Sequence, residues 1–235
     1  MAHLPKRFWK DVTLRQDDEG FYGPALDGRS VKLTGGYMLA VSSRPLAEAL
    51  VEEWSAIAPG ETISPDKIPL TRIAGSQIEQ IAPYEEETRE ALFAFGLDDA
   101  LCYVSEVQDP AIAALLKEWM SEKGRDFILP QATDLTPLEH SEGYRKALKK
   151  LIASQSIERL TVLRIMAPLL SSFWLPLAMT AGILTFEEAF AFGFADEYAQ
   201  LEEWGHDDEM VTSLEQKKHE LADAMRYWEI VQSAV

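Results

Sequence analysis

Cysteine is almost missing from this chain. Its 235 residues include one, Cys102, so an internal disulfide and a cysteine-based zinc site are both excluded, and the usage suits a reducing compartment. Positive charge is scarce: 22 Lys and Arg stand against 39 Asp and Glu, a formal net charge of −17. A surface that grips nucleic-acid phosphates needs clustered cations. Only RKALKK at 145–150 offers such a cluster, so nucleic acid is not an expected partner. The same deficit argues against adsorption to anionic lipid and suits a partner with basic patches. The first residues, MAHLPKRFWKDV, lack the apolar run of a secretory signal.

Catalytic signatures are missing too. GxxxxGKS/T, GxGxxG, GxSxG and HExxH do not occur, which removes the usual phosphate cradle, the dinucleotide fingerprint, the nucleophile elbow and the zincin helix. Ser64-Pro65-Asp66-Lys67 fits a loose SxxK pattern, but in a loop and without SDN or KTG. Cys102 in DALCYVSE has no His nearby and reads as a small buried hydrophobe. No cofactor and no enzymatic activity are expected.

What is present divides into two styles. Up to about residue 42, short apolar runs alternate with DDEG, DG and GG, the mark of an antiparallel meander of FWKDVTL, FYGPAL, SVKL and YMLAV. From Ser43, a possible N-cap, apolar Leu46, Leu50, Trp54 and Ile57 follow at helical spacing. APGETISPDKIP (58–69) reads as a junction. Beyond it the periodicity predicts helices over about 70–81, 84–95, 110–128, 141–154, 156–182, 185–204 and 210–233. The expected fold is α+β: a β-rich N-terminal domain completed by one helix (1–65), then a larger helical domain (66–235).

One window is chemically odd. Residues 165–216 contain no Lys or Arg but ten acids, and 165–184 carry no charge at all. Twenty uncharged residues reach the length of a membrane span. Pro168, Pro176 and three hydroxyl residues favour a buried helix instead, so no stable membrane insertion is expected.

FADEYAQLEEWGHDDE (194–209) offers two chemistries. His206 with Asp207, Asp208 and Glu209 could hold a hard cation, which makes a metal-dependent hydrolase using 196–209 the alternative function. The EF-hand pattern is absent, and a solvated loop is the plainer reading of HDDE. The other chemistry is recognition. Thr185 and Glu188 form a capping-box pattern. On a continuous helix from there, Phe186, Phe190, Phe194 and Leu201 make one apolar stripe, with Glu197 inside it and Asp196 off it. A carboxylate in that place either pairs internally or waits for a partner's Arg or Lys. Gly205 is a plausible C-cap. Trp204 reads as packing against the chain or as part of a contact surface.

Six collinear stretches then give a family resemblance: RFWKDV, LDGRSVKLTGG, SRPLAEALVEEW, IPLTRIAGSQIEQI, DALCYVSE and DEYAQLEEWG. Together they resemble the assembly chaperones of the F1 ATP synthase alpha subunit found in mitochondria and alphaproteobacteria. The resemblance implies a domain containing β-structure followed by a helical one. It implies no catalysis, and binding of the free alpha subunit until beta subunits join it. The implied place is the bacterial cytoplasm, or the mitochondrial matrix for eukaryotic relatives, and a free monomer is expected. It points to Glu197, with Asp196, Tyr198, Glu202 and Trp204 around it, as the partner-binding set, and to Trp54. On the Leu46–Leu50–Trp54 stripe, Trp54 reads as core, so its replacement by Arg is expected to damage folding.

Overall fold

A hairpin dictated by its own turn residues opens the fold. In the computed structural model, which describes residues 5–103, 105–132, 138–205 and 207–233, Asp27 and Gly28 both have positive φ, 47° and 79°. That is the conformation a two-residue hairpin turn requires. It joins β2 (Tyr22–Leu26) to β3 (Arg29–Ser30). β1 (Val12–Gln16) pairs antiparallel with β2 from Val12↔Leu26 to Gln16↔Tyr22. The Asp27 carboxylate accepts the Lys10 and Asp11 amides, each at 3.0 Å. These bonds hold its carboxyl below the usual range, Asp11 first. Gly23 cannot be replaced cheaply, because a Cβ there would lie 2.0 Å from the Leu39 carbonyl oxygen.

The expected SVKL and YMLAV strands are largely corrected. β3 has two residues, and the rest contributes isolated bridges, Lys32↔Met38 and Tyr22↔Val41. The Gly35-Gly36 turn reverses the chain too soon for a ladder, with Leu33 N–H bonded to the Tyr37 carbonyl at 2.8 Å.

α1 (Arg44–Ala56) begins where expected: Ser43 Oγ accepts the Leu46 amide at 3.3 Å. Leu46, Leu50 and Trp54 are buried, and the helix packs on β1 and β2. Burying the two leucines stabilises by about 2 kcal/mol each. α2 (Pro69–Ser76) comes next and runs into a π-helical turn, Gln77–Ile81.

Packing divides the chain into two units, one from the N-terminus to Tyr84 together with residues from Arg226 onward, the other Glu85–Met225. This division falls later than the 65/66 junction expected from the Pro/Gly stretch. α2 packs on α1, so it goes with the β-rich part although it is helical.

In the unit Glu85–Met225, α3 (Glu85–Leu97) packs on α5 (Glu142–Ala153) and α6 (Ile157–Leu170). α6 packs on α7 (Trp174–Thr180), and α7 on α8 (Phe186–Gly193). α4 (Pro110–Glu122) ends earlier than expected, because Gly124 at φ 135° breaks it before a short 3-10 turn, Arg125–Phe127. Phe127, Trp119 and Phe173 meet the Trp174 ring edge-on at 5.1, 6.0 and 5.4 Å.

The single helix expected over 156–182 is two helices. Ser171 sits at φ 47°, left-handed and exposed, and Asp99 caps the second of the two, α7. The fully buried Asp99 carboxylate accepts Phe173 N–H at 2.8 Å, Trp174 N–H at 3.1 Å, Ser172 Oγ at 2.8 Å and Leu101 N–H at 3.0 Å. Residues 172–180 are all buried, so the uncharged run is core, as expected. Among the described residues no helix is long and apolar enough to cross a membrane.

The helix expected over 185–204 is also two, α8 and α9 (Ala195–Trp204). The break is at Phe194, with φ −118° and ψ 22° and a buried ring. α10 (Asp208–Gln232) starts earlier than expected. Asp207 Oδ1 accepts the Glu209 and Met210 amides at 2.9 and 3.1 Å, an N-cap arrangement. Asp208 and Glu209 are therefore helical, not loop, which corrects the reading of HDDE.

Candidate functional site

The window without Lys or Arg folds into the end of α6, then α7, α8, α9 and the start of α10. The capping box at its α8 entry is complete: Thr185 N–H donates to Glu188 Oε2 at 2.8 Å and Glu188 N–H to Thr185 Oγ1 at 3.2 Å. The Glu188 carboxyl is held below the usual range by those bonds to Thr185.

The Phe stripe survives the break at Phe194. Phe186 stacks on Phe190 at 6.0 Å, Phe190 meets Phe194 at 4.7 Å, and Tyr198 approaches Phe190 edge-on at 6.4 Å. The first cations after the window return to this stripe, Lys217 Nζ lying 4.9 Å from the Phe194 ring and Lys218 Nζ 5.5 Å from that of Phe190. Aromatic faces attract such ammonium groups. The basic ends are thus held on the rings.

Of the ten acids in the window, nine are exposed and one, Glu197, is half-buried, so this is a solvated acidic face. Glu197 is not the buried carboxylate that a continuous helix would give. It is half-buried where its neighbour Asp196 is exposed, so it lies at the edge of the stripe and not under it. Its carboxylate, like those of Glu202 and Glu203, has no ion-pair partner among the described residues, and the internal pairing considered for it is not found there. Asp196 is exposed and accepts Ser105 Oγ at 2.6 Å. Tyr198 is 42% exposed and Trp204 74%. Trp204 does not pack, because α9 ends at Gly205 (φ 90°) and leaves the indole beyond the stripe. The five residues of the partner-binding set thus all lie on α9, with side chains open to solvent or half open.

Among the described residues no three His, Cys, Asp or Glu side chains are gathered as a metal would need. His206 lies outside the described residues. Trp54 belongs to the other unit. It is 7% exposed, its ring lies 5.2 Å from that of Trp9, and its Nε1–H donates to Thr71 Oγ1 at 2.9 Å.

Two buried carboxylates escape a reading of the sequence. Glu53 accepts Leu70 N–H at 2.7 Å, Thr71 N–H at 2.9 Å and the Thr71 hydroxyl at 2.6 Å, so it caps α2 from α1; burial raises its pKa. The other is Asp99, the cap of α7. The local half of the Asp99 cap, D-x-L, is visible in DDALC; the long-range half has no local signal.

Cys102 is fully buried, and its thiol is pushed up to about 12, by burial first and then by the Asp99 charge. Thiolate is the reactive form. In the folded protein at pH 8, a maleimide or disulfide reagent is expected to label nothing within the time that labels it fully in guanidinium. Rapid native labelling would show that the segment opens.

The same fold recurs in known proteins. A family model described as ATP12 chaperone protein matches residues 6–136. No curated protein matches the chain. The crystal structure of Atp12 from Paracoccus denitrificans is similar with a TM-score of 0.84 and 28% identity, over 96% of this chain and 98% of that one. An Asp-to-Lys mutant of P. denitrificans Atp12p gives 0.84 and 28%, over 96% and 97%. A protein from Agrobacterium tumefaciens, described as a candidate chaperone, gives 0.83 and 28%, over 96% and 86%.

Proposed function

Because the chain belongs to the ATP12 chaperone family, we propose that it acts as a chaperone in ATP synthase assembly by binding the free F1 alpha subunit, without catalysis of its own. The observation that carries this reading is the exposed acidic face of α8 to α10, in which Glu197 has no partner among the described residues and Tyr198 and Trp204 stand open. Acidic charge speeds encounter with a basic patch, and exposed aromatic anchors supply affinity once contact is made. Glu197, Asp196, Tyr198, Glu202 and Trp204 are the residues assigned to that contact. Trp54 has a structural role in the other unit.

Co-expression of the tagged chain with free alpha and free beta subunits tests the reading. Retention of alpha but not beta at low salt is the expected result, and failure to retain alpha would sink it. Glu197→Lys is expected to weaken capture by about tenfold, since a like charge facing a basic patch costs well over 1 kcal/mol. Its melting temperature should stay within about 2 °C of wild type, because an unpaired surface substitution changes stability by at most about 0.5 kcal/mol. A parallel loss of fold and capture would assign Glu197 to stability instead.

A further inference from the structure

The unit Glu85–Met225 contains a groove of about 880 Å³, a volume in the upper range of sites that take ligands. Its lining is mainly apolar, including Leu101, Tyr103, Met120, Phe127, Ile128 and Phe192. Met120 and Phe127 are buried parts of the core, so the floor is preformed, whereas Ile128 is 70% exposed and Tyr103 46%. Large apolar side chains left open in this way mark an interaction surface.

The charges around the groove say what fits it. Its wall is tied to the acidic face by two hydrogen bonds. Ser105 Oγ donates to Asp196 at 2.6 Å, and Gln108 Nε2 donates to the Phe192 carbonyl at 3.3 Å. Glu106 lies on the groove itself, with Lys117 the one cation of its lining among the described residues; in the adjoining segments Asp109, Glu118, Glu122, Asp126 and Glu197 outnumber Lys123 and Arg125. A small apolar ligand would make no use of these carboxylates. A second copy of this chain, with net charge −17, would bring acid against acid. A polypeptide whose apolar side chains are flanked by Lys or Arg satisfies both the interior and the rim.

Resting on the alpha-subunit reading, we propose that this groove holds an apolar segment of the client chain with Lys or Arg beside it, while α9 engages the client's basic surface. The groove would supply affinity where α9 supplies orientation and encounter rate.

The test uses the full chain co-expressed with the F1 alpha subunit. With p-benzoylphenylalanine in place of Ile128, irradiation is expected to crosslink the chain to one alpha segment, apolar and with Lys or Arg close by, as read by mass spectrometry. Phe8, 80% exposed in the other unit, serves as the control position and should give no such crosslink. Ala113→Trp, which fills the groove without changing charge, and Ile128→Lys are each expected to cut alpha capture about tenfold. Both positions are exposed, so melting should be unchanged; the crosslink decides the matter even where a variant folds poorly. The proposal is overturned if wild type and both variants capture alpha equally, or if the Ile128 probe crosslinks only a second copy of the chain. If wild type retains no alpha, the client reading falls and takes this one with it.

Discussion

Asp99→Ala is expected to lower the melting temperature by about 10 °C, measured by circular dichroism or calorimetry. The carboxylate is fully buried and accepts four hydrogen bonds, three of them from amides or a hydroxyl at the start of α7. Alanine leaves those donors open, at about 1–3 kcal/mol for each that stays dry. With partial rescue by water the sum is about 4 kcal/mol, and each kcal/mol is worth about 2–4 °C in a chain of this size. Asp99→Asn should be nearly as damaging, since its NH2 would face donors either way, the Phe173 and Trp174 amides in one orientation and the Leu101 amide and Ser172 hydroxyl in the other.

The same residue gives a pH signature. Burial pushes the Asp99 carboxyl up from 3.8 to about 6, against the pull of its hydrogen bonds, the Leu101 amide first. With the folded value above the unfolded one, the folded state holds this proton more tightly between them. The contribution of Asp99 to stability is therefore fully present below about pH 4 and lost as pH rises through about 6. Carboxyls held low, such as Glu188, contribute with the opposite sign, so the difference in stability between wild type and Asp99→Asn isolates the effect. That difference should shrink from pH 4 to pH 7. This does not conflict with the damage expected from Asp99→Ala at neutral pH, because even a costly buried ion is better than several open donors.

Trp54→Ala is expected to cost about 4 kcal/mol, as large aromatic truncations in cores do. The loss has two parts: the ring contact with Trp9 at 5.2 Å and the hydrogen bond to Thr71 Oγ1 at 2.9 Å. Thr71 donates its own hydroxyl proton to Glu53 at 2.6 Å, so Trp54 closes a relay that fixes α1 to the N-terminus of α2. Trp54→Phe keeps most of the ring and should lose about 1 kcal/mol, the worth of the hydrogen bond. Trp54→Arg should be at least as damaging as Ala. The guanidinium must be desolvated, and Glu53 is already engaged by three donors. Thermal melts of the three variants check the order Phe, Ala, Arg. A Trp54→Ala protein that melts with wild type would remove Trp54 from the core.

Local signals in the sequence lead directly to local structure. Ser43, Thr185 with Glu188, and Asp27-Gly28 all act as their spacing implies. The apolar stripe of α1 is buried, and the uncharged run is core. The breaks are not legible in this way. Ser171 and Phe194 interrupt helices although neither is Gly or Pro; Pro168 and Gly193 nearby are still helical, and the breaks are held by other groups: Asp99 reaches Phe173 from 74 positions away, and burial holds the Phe194 ring. Periodicity separates Glu197, half-buried, from Asp196, exposed, but does not tell how far the Glu197 carboxylate stays open. The surroundings of Trp204 are equally illegible, as nothing in EEWG says where the stripe ends.

The absence of Lys and Arg from 165–216 also sets how proteases meet this protein. Trypsin has no bond to cut between Arg164 and Lys217, so the whole acidic face leaves a digest as one fragment, whatever is bound to it. A glutamate-specific protease meets Glu187, Glu188, Glu197, Glu202, Glu203, Glu209 and Glu215 in the same span, most of them on the solvated surface. The face is silent to one enzyme and finely graduated for the other, and the cleavage sites include side chains assigned to recognition.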